Sequence, residues 1–329
     1  MSNTRTTIPL PNISSLAWEH PADRTALQAL RKVPGFDKII QTVFGATTER
    51  SLRLLYLASS VRASSKQFGR AYELLGEACR VLDVSQRPEL FIMQNPLLNA
   101  GAVGMDNPFI VLNSAMVESF DEAELLTVIG HELGHILSGH VLYRTVADLI
   151  FLLSERAIRF PLSDFVLMGV VTALQEWQRK SELSCDRAGL LVAQNPDASV
   201  RVLMKLAGGG NVAQMDLGEF LAQADEYERN EAIADTVFKL FNTLDKTHPF
   251  AVVRAAELVK WIRSGEYDAI LSGDYLKRNE NRAYSFGEDF VRAQEAYSQD
   301  FKKATESFQN FGQDLSQQAK DFLDHIFKR

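Results

Sequence analysis

An α+β fold, mostly helical with one small sheet, is predicted by three observations. The chain has 329 residues, ample for a sizeable core. Apolar residues recur at three- and four-residue steps through most of it, the signature of core-facing helices. One stretch, Pro88 to Leu112, breaks that rhythm with two β-rich runs set among turn residues, so a small sheet is expected just ahead of the helix that carries His131.

In order, residues 1 to about 20 are polar and Pro-containing and read as a loose arm with a Trp18 contact. A helix starts at Asp23 and ends at Pro34-Gly35. Phe36 to Phe44 and Glu49 to Val61 continue the helical series, and Phe68, Tyr72, Leu75, Ala78, Cys79 and Leu82 mark a further amphipathic helix. Glu89 to Met93 and Phe109 to Leu112 read as strands, with Asn95-Pro96, Asn99-Ala100-Gly101 and Asp106-Asn107-Pro108 as turns. Leu125 to Leu137 is a helix with Asp121 and Glu122 at its start, where the helix dipole favours acids. Val141 to Trp177 reads as a helical hairpin split near Glu155 and Pro161. Lys180 to Ala193, Ser199 to Ala207, Glu219 to Leu244 and Ala251 to Ile262 are further helices, the last entered through the turn Thr247-His248-Pro249-Phe250. In the tail, Tyr297, Phe301, Ala304, Phe308, Phe311 and Leu315 step by four and three, a heptad-like amphipathic helix. The divisions expected are an N-terminal helical region, 1–87, a central domain that contains the His131 helix, 88–280, and a C-terminal amphipathic tail, 281–329.

A net charge of −7 argues against a nucleic-acid partner, which would need a basic face. Two cysteines, Cys79 and Cys185, make no disulfide framework. The first ten residues lack an apolar signal region and no window reaches the ~20 apolar residues of a membrane span, so a soluble, cytoplasmic protein is expected. A setting on a membrane surface is the alternative, disfavoured by the mild acidity of the tail.

The chemistry begins at His131-Glu132-Leu133-Gly134-His135. On a helix His131 and His135 lie one turn apart and point the same way, as two ligands of one metal ion. Glu132, beside them, is placed to deprotonate a metal-bound water. A catalytic zinc takes a third protein ligand. His140 falls nine residues after His131 and on another face, so it reads as a supporting or structural histidine. Glu155 and Glu176 have no partner at helical spacing. Glu182 does: Asp186 is one turn on, placed to accept a hydrogen bond from the far nitrogen of a ligand histidine. His248 is a candidate donor to the oxyanion of an attacked carbonyl, with Arg254 to support it or to bind substrate.

In their order along the chain, the HExxH, the Glu182-to-Asp186 element and Thr247-His248-Pro249 with Arg254 resemble the M48 family of HtpX-like zinc metallopeptidases, over roughly Pro88 to Ile270. The resemblance implies a gluzincin-like fold and one Zn2+ per chain on His131, His135 and Glu182. It further implies Glu132 as general base, Asp186 orienting a zinc histidine and His248 stabilising the transition state. The strand Phe109, Ile110, Val111 and Leu112 would be the edge along which an extended peptide lies, with Asn99 just ahead of it. The expected function is therefore hydrolysis of peptide bonds in peptides or unfolded proteins, and an intact Glu132 separates this from a non-catalytic zinc-binding protein on the same fold. Two departures stand out: this chain lacks the membrane spans of many relatives, and Cys185 replaces a usual Ala, reading as a small packed residue. The tail helix is expected to pack on the body, self-associate or cover the cleft as an autoinhibitor.

Overall fold

The computed structural model describes residues 7–32, 36, 49–155, 164–229 and 250–280. Its elements follow as α1 (Pro21–Arg31), α2 (Glu49–Ser59), β1 (Val61–Arg62), α3 (Gly69–Val81), β2 (Leu90–Met93), β3 (Ala100–Val103) and β4 (Phe109–Asn113). Then come α4 (Ser114–Ser119), α5 (Glu122–Leu137), α6 (Val141–Glu155), α7 (Asp164–Ala193) and α8 (Pro196–Gly208). The last are α9 (Leu217–Arg229), α10 (Ala251–Arg263) and α11 (Glu266–Leu271). The mostly helical α+β expectation holds. The tail from residue 281, and with it the expected amphipathic helix, lies outside the described residues.

The sheet has four strands in the order β1-β2-β4-β3, with β2 and β4 parallel and β3 antiparallel to β4. Two strands were expected; β1 and β3 are additions. Asn99-Ala100-Gly101 reads as turn chemistry in sequence because Ala and Gly carry little β-propensity, yet each residue from Ala100 to Val103 pairs with one of β4. This placement corrects the role expected of Phe109 to Leu112. Their strand is flanked on both sides and all five of its residues are buried, so its backbone has no open edge for a substrate. On that side of the sheet the outer strand is β3.

Helix α5 starts under a capping box. The Asp121 carboxylate accepts from the Glu124 N–H, and the Glu124 side chain accepts from the Asp121 N–H. Glu124 is buried and closed off by Lys205 Nζ at 2.6 Å and Arg201 Nε at 3.1 Å. From there the helix is buried continuously to His135, and its main partner is α7. Three glycines let the two backbones close. A Cβ on Gly130 would stand 2.6 Å from Val192 Cβ, and one on Gly134 would stand 2.7 Å from Ala188 Cβ. On the other helix, a Cβ on Gly189 would meet the carbonyl oxygen of Thr127 at 2.7 Å. That last neighbour is backbone and cannot swing away. Gly189→Ala is therefore expected to lower stability by about 1–3 kcal/mol, read from urea unfolding; a midpoint equal to that of the unsubstituted chain would show that the helices can part there.

Helix α7 is also longer than expected. A hairpin ending at Trp177 and a separate helix from Lys180 were expected, but the stretch between them holds no Gly or Pro, and one helix of 30 residues runs through it. The arm from Thr7 is not loose. Leu10, Ile13 and Trp18 are buried with α3, α5 and α10 in one core, and the Leu10 N–H donates to the Val81 carbonyl at 2.8 Å. Farther on, the Ser14 N–H donates to Leu276 O at 3.0 Å and the Arg278 N–H to Asn12 O at 2.9 Å. A second, smaller core joins Ala26 and Leu30 of α1 to Val146 and Ile150 of α6 and to Leu174 and Trp177 of α7. Among the described residues no helix is long and apolar enough to cross a membrane.

Candidate metal centre

The glycine-mediated contact between α5 and α7 brings two sets of polar side chains face to face inside the protein. His131 and His135 project from α5, one turn apart, with their Nε2 atoms 3.2 Å from each other. Glu182 of α7 reaches both: Oε2 lies 3.4 Å from His131 Nε2 and Oε1 lies 3.3 Å from His135 Nε2. Donors at 2.0–2.1 Å from a tetrahedral ion would be about 3.3–3.4 Å apart, and each of these separations, one Glu182 oxygen facing each histidine, is close to that.

Asp186, one turn after Glu182, accepts from His131 Nδ1 at 3.0 Å. Arg254 of α10 clamps both acids: Nε donates to Asp186 Oδ2 at 2.8 Å, Nη2 to Asp186 Oδ1 at 2.5 Å, and Nη1 lies 2.9 Å from Glu182 Oε2. Burial works against the Asp186 carboxylate, but Arg254 and His131 outweigh it and hold its pKa below the ordinary value. Burial also depresses His131, and there the opposing carboxylates of Glu182 and Asp186 carry it up to about 9. His135 is held well below its ordinary value by burial first and by Arg144 next.

Around the two histidines the buried carboxylates are Asp23, Glu132, Glu182 and Asp186, and the buried guanidiniums are Arg144 and Arg254. With both histidines neutral, as metal ligands must be, the acids outnumber the cations by two, an imbalance that a divalent ion would neutralise. The Arg144 guanidinium contacts His135 Nε2 and donates to Glu182 Oε1 at 2.8 Å; that imidazole nitrogen has a single lone pair, so Arg144 must give up His135 Nε2 when a metal binds there. Nothing in the sequence singled Arg144 out, beyond its being one turn after His140.

The other expected residues fall as follows. Glu132 is buried and lines a cavity of about 30 Å³ together with His131, Asp186, Arg254, Asn99 and Ala100. Asn99 is thus beside the candidate centre, while Phe109 to Leu112 are not among the residues that line this cavity. Arg254 acts on the acids of α7. His248 lies outside the described residues. Glu155 and Glu176 stand on α6 and α7, and the carboxylate found converging on the histidines is that of Glu182.

A local turn of the backbone brings His140 beside the site. Helix α5 ends at Leu137, Gly139 takes the left-handed conformation at φ 71, and the His140 N–H donates to the His135 carbonyl at 2.9 Å. The turn sets His140 Nδ1 3.2 Å from His135 Nδ1. On its far side His140 Nε2 is 3.0 Å from Asp23 Oδ2. Asp23 also accepts from Ser184 Oγ at 2.6 Å and Trp177 Nε1 at 3.1 Å. Cys185 is fully buried, with Sγ 3.6 Å from His140 Nδ1, and burial pushes its pKa well up, which keeps it a thiol. Among the described residues two triads have metal-binding proximity: His131, His135 and Glu182, and His135, His140 and Cys185. The first supplies an ionised oxygen and two imidazoles, the donor set of a hydrolytic zinc; the second would require ionising a buried thiol.

A model of peptidase family M48 matches residues 65–262. The chain is 35% identical over 259 residues to the plastoglobule-localized metallopeptidase 48, chloroplastic, of Arabidopsis thaliana, covering 77% of this chain and 74% of that protein. It is 26% identical over 197 residues to protease HtpX homolog 1 of Streptomyces coelicolor, covering 52% of this chain and 64% of that one. Similarity to the mitochondrial metalloendopeptidase OMA1 of Arabidopsis thaliana is 29% over 141 residues, covering 41% of this chain and 28% of the relative. No solved structure matches the chain.

Proposed function

Because the chain belongs to peptidase family M48, we propose that this metallopeptidase is a zinc-dependent endopeptidase, with one zinc ion held by His131, His135 and Glu182. The reading is carried by one observation. The two imidazoles and the Glu182 carboxylate converge within metal-binding reach of one another, and Glu132, the residue after His131 on the helix, lines the adjoining cavity. Zinc in that position would polarise a scissile carbonyl and acidify water.

The rest falls to side chains. Glu132 takes the proton of the attacking water and returns it to the departing amine. Asp186 accepts from His131 Nδ1–H, which leaves the Nε2 lone pair directed at the ion. Arg254 keeps Asp186 ionised for that task. His248 is proposed as the donor that stabilises the oxyanion, from its place between Thr247 and Pro249. The substrate backbone is proposed to run along β3, the outer strand, with Asn99 and Ala100 at the cavity.

The test is a fluorogenic peptide blocked at both ends. Cleavage at an internal bond is expected, abolished by a zinc chelator and restored by added zinc. Release of terminal residues alone, from unblocked peptides, would replace the endopeptidase reading by an exopeptidase one. Cleavage unaffected by metal removal would overturn the zinc reading.

A further inference from the structure

We propose that Asp23 and His140 are positioning residues of the metal centre, a two-step hydrogen-bond relay that fixes the tautomer and ring orientation of His135. The inference rests on the reading above, that His135 gives its Nε2 lone pair to a metal ion. It concerns residues that reading does not use, and Asp23 lies outside the matched segment 65–262.

The argument is one of proton positions. A neutral imidazole that gives Nε2 to a metal must carry its hydrogen on Nδ1. His135 Nδ1 faces His140 Nδ1 at 3.2 Å, so His140 has to accept there. A neutral His140 that accepts at Nδ1 must carry its own hydrogen on Nε2. That atom is 3.0 Å from Asp23 Oδ2, an acceptor. Each ring proton therefore has one consistent place, His135 Nδ1–H to His140 Nδ1 and His140 Nε2–H to Asp23, and the Cys185 thiol, 3.6 Å from the same His140 Nδ1, is then not the donor to it. Protonating His140 on both nitrogens would set two donors against each other at 3.2 Å.

The acceptor at the end of the relay is fixed in turn. Trp177 Nε1 and Ser184 Oγ, both on α7, donate to the two oxygens of Asp23. All three relay members are buried, so water does not compete for these bonds. The two ligand histidines are thus oriented by different means. His131 is held by Asp186 directly, and His135 is held by Asp23 through an intervening ring.

The experiment measures zinc affinity of the full chain by competition with a chromophoric chelator. Asp23→Asn and His140→Phe are each expected to weaken zinc binding by about 10- to 100-fold. Because the two act in series, the double variant should be no weaker than the worse single one; independent contributions would multiply. Wild-type affinity in both single variants, with far-UV circular dichroism unchanged, would overturn the relay and leave the zinc reading standing. Absence of zinc binding by the unsubstituted chain would overturn both.

A measurement free of substitutions guards against variants that do not fold. In 15N-labelled, zinc-loaded protein, His135 should be the Nδ1–H tautomer and His140 the Nε2–H tautomer. A neutral His140 protonated on Nδ1 would end the proposal even if zinc is bound.

Discussion

Glu132→Gln is expected to retain one zinc ion per chain and to lose about 10²–10⁴-fold in peptide hydrolysis. The substitution is nearly isosteric, and Glu132 is not one of the three converging donors, so metal content should not change. What disappears is the carboxylate that accepts a proton. The amide of Gln has no basicity near neutral pH, so the attacking water must ionise without help. The loss should fall on kcat more than on KM, since the role is played while the bond breaks. Zinc content by atomic absorption, alongside kcat and KM on the blocked peptide, checks both halves. Hydrolysis at the unsubstituted rate would remove Glu132 from the reaction and point to a different base.

Glu182→Ala has the larger expected effect on the centre itself: loss of stoichiometric zinc, and of activity with it. Two imidazoles alone make a weak site. The change also leaves Arg144 and Arg254 facing each other across a buried gap, since Glu182 lies between Arg144 at 2.8 Å and Arg254 at 2.9 Å. Breaking a buried ion pair on one side costs about 3–5 kcal/mol, so a fall in the thermal midpoint is expected too. Glu182→Gln separates the two consequences. It keeps the shape and an oxygen for hydrogen bonding but removes the charge, and it should lower zinc affinity with a smaller loss of stability. Full zinc occupancy in Glu182→Ala would reassign the third ligand to another carboxylate.

How much of this was legible in the sequence depended on distance along the chain. Within one helix, spacing sufficed: His131 and His135, or Glu182 and Asp186, share a face whatever surrounds them. That the two pairs meet was readable only as a resemblance, because the meeting depends on Gly130, Gly134 and Gly189 admitting one backbone to the other. Asp23 could not be found this way. It is one acid in the first turn of an ordinary helix, and its partners Trp177, Ser184 and His140 are more than a hundred residues away. The strand error has a similar cause. Phe109 to Leu112 has the stronger β-pattern, and a strong apolar pattern marks a strand covered on both sides. The outer strand, Ala100–Val103, opens on Ala-Gly-Ala, small residues with little strand signal of their own.

The lacing of the arm at Asn12 and Ser14 to Leu276 and Arg278 bears on the history of each molecule during synthesis. The candidate centre draws on residues from Asp23 to Arg254, and the body around it is closed by hydrogen bonds between its first and last described segments. A ribosome delivers the HExxH helix well before Arg254 and Leu276 have emerged. Until then Asp186 has no Arg254, and the arm at Ser14 has nothing at Leu276 to pair with. Contacts of such long sequence separation form late. A nascent chain therefore carries His131, Glu132 and His135 before the candidate centre is assembled, and the centre closes only once the chain as far as Arg254 and Leu276 has emerged.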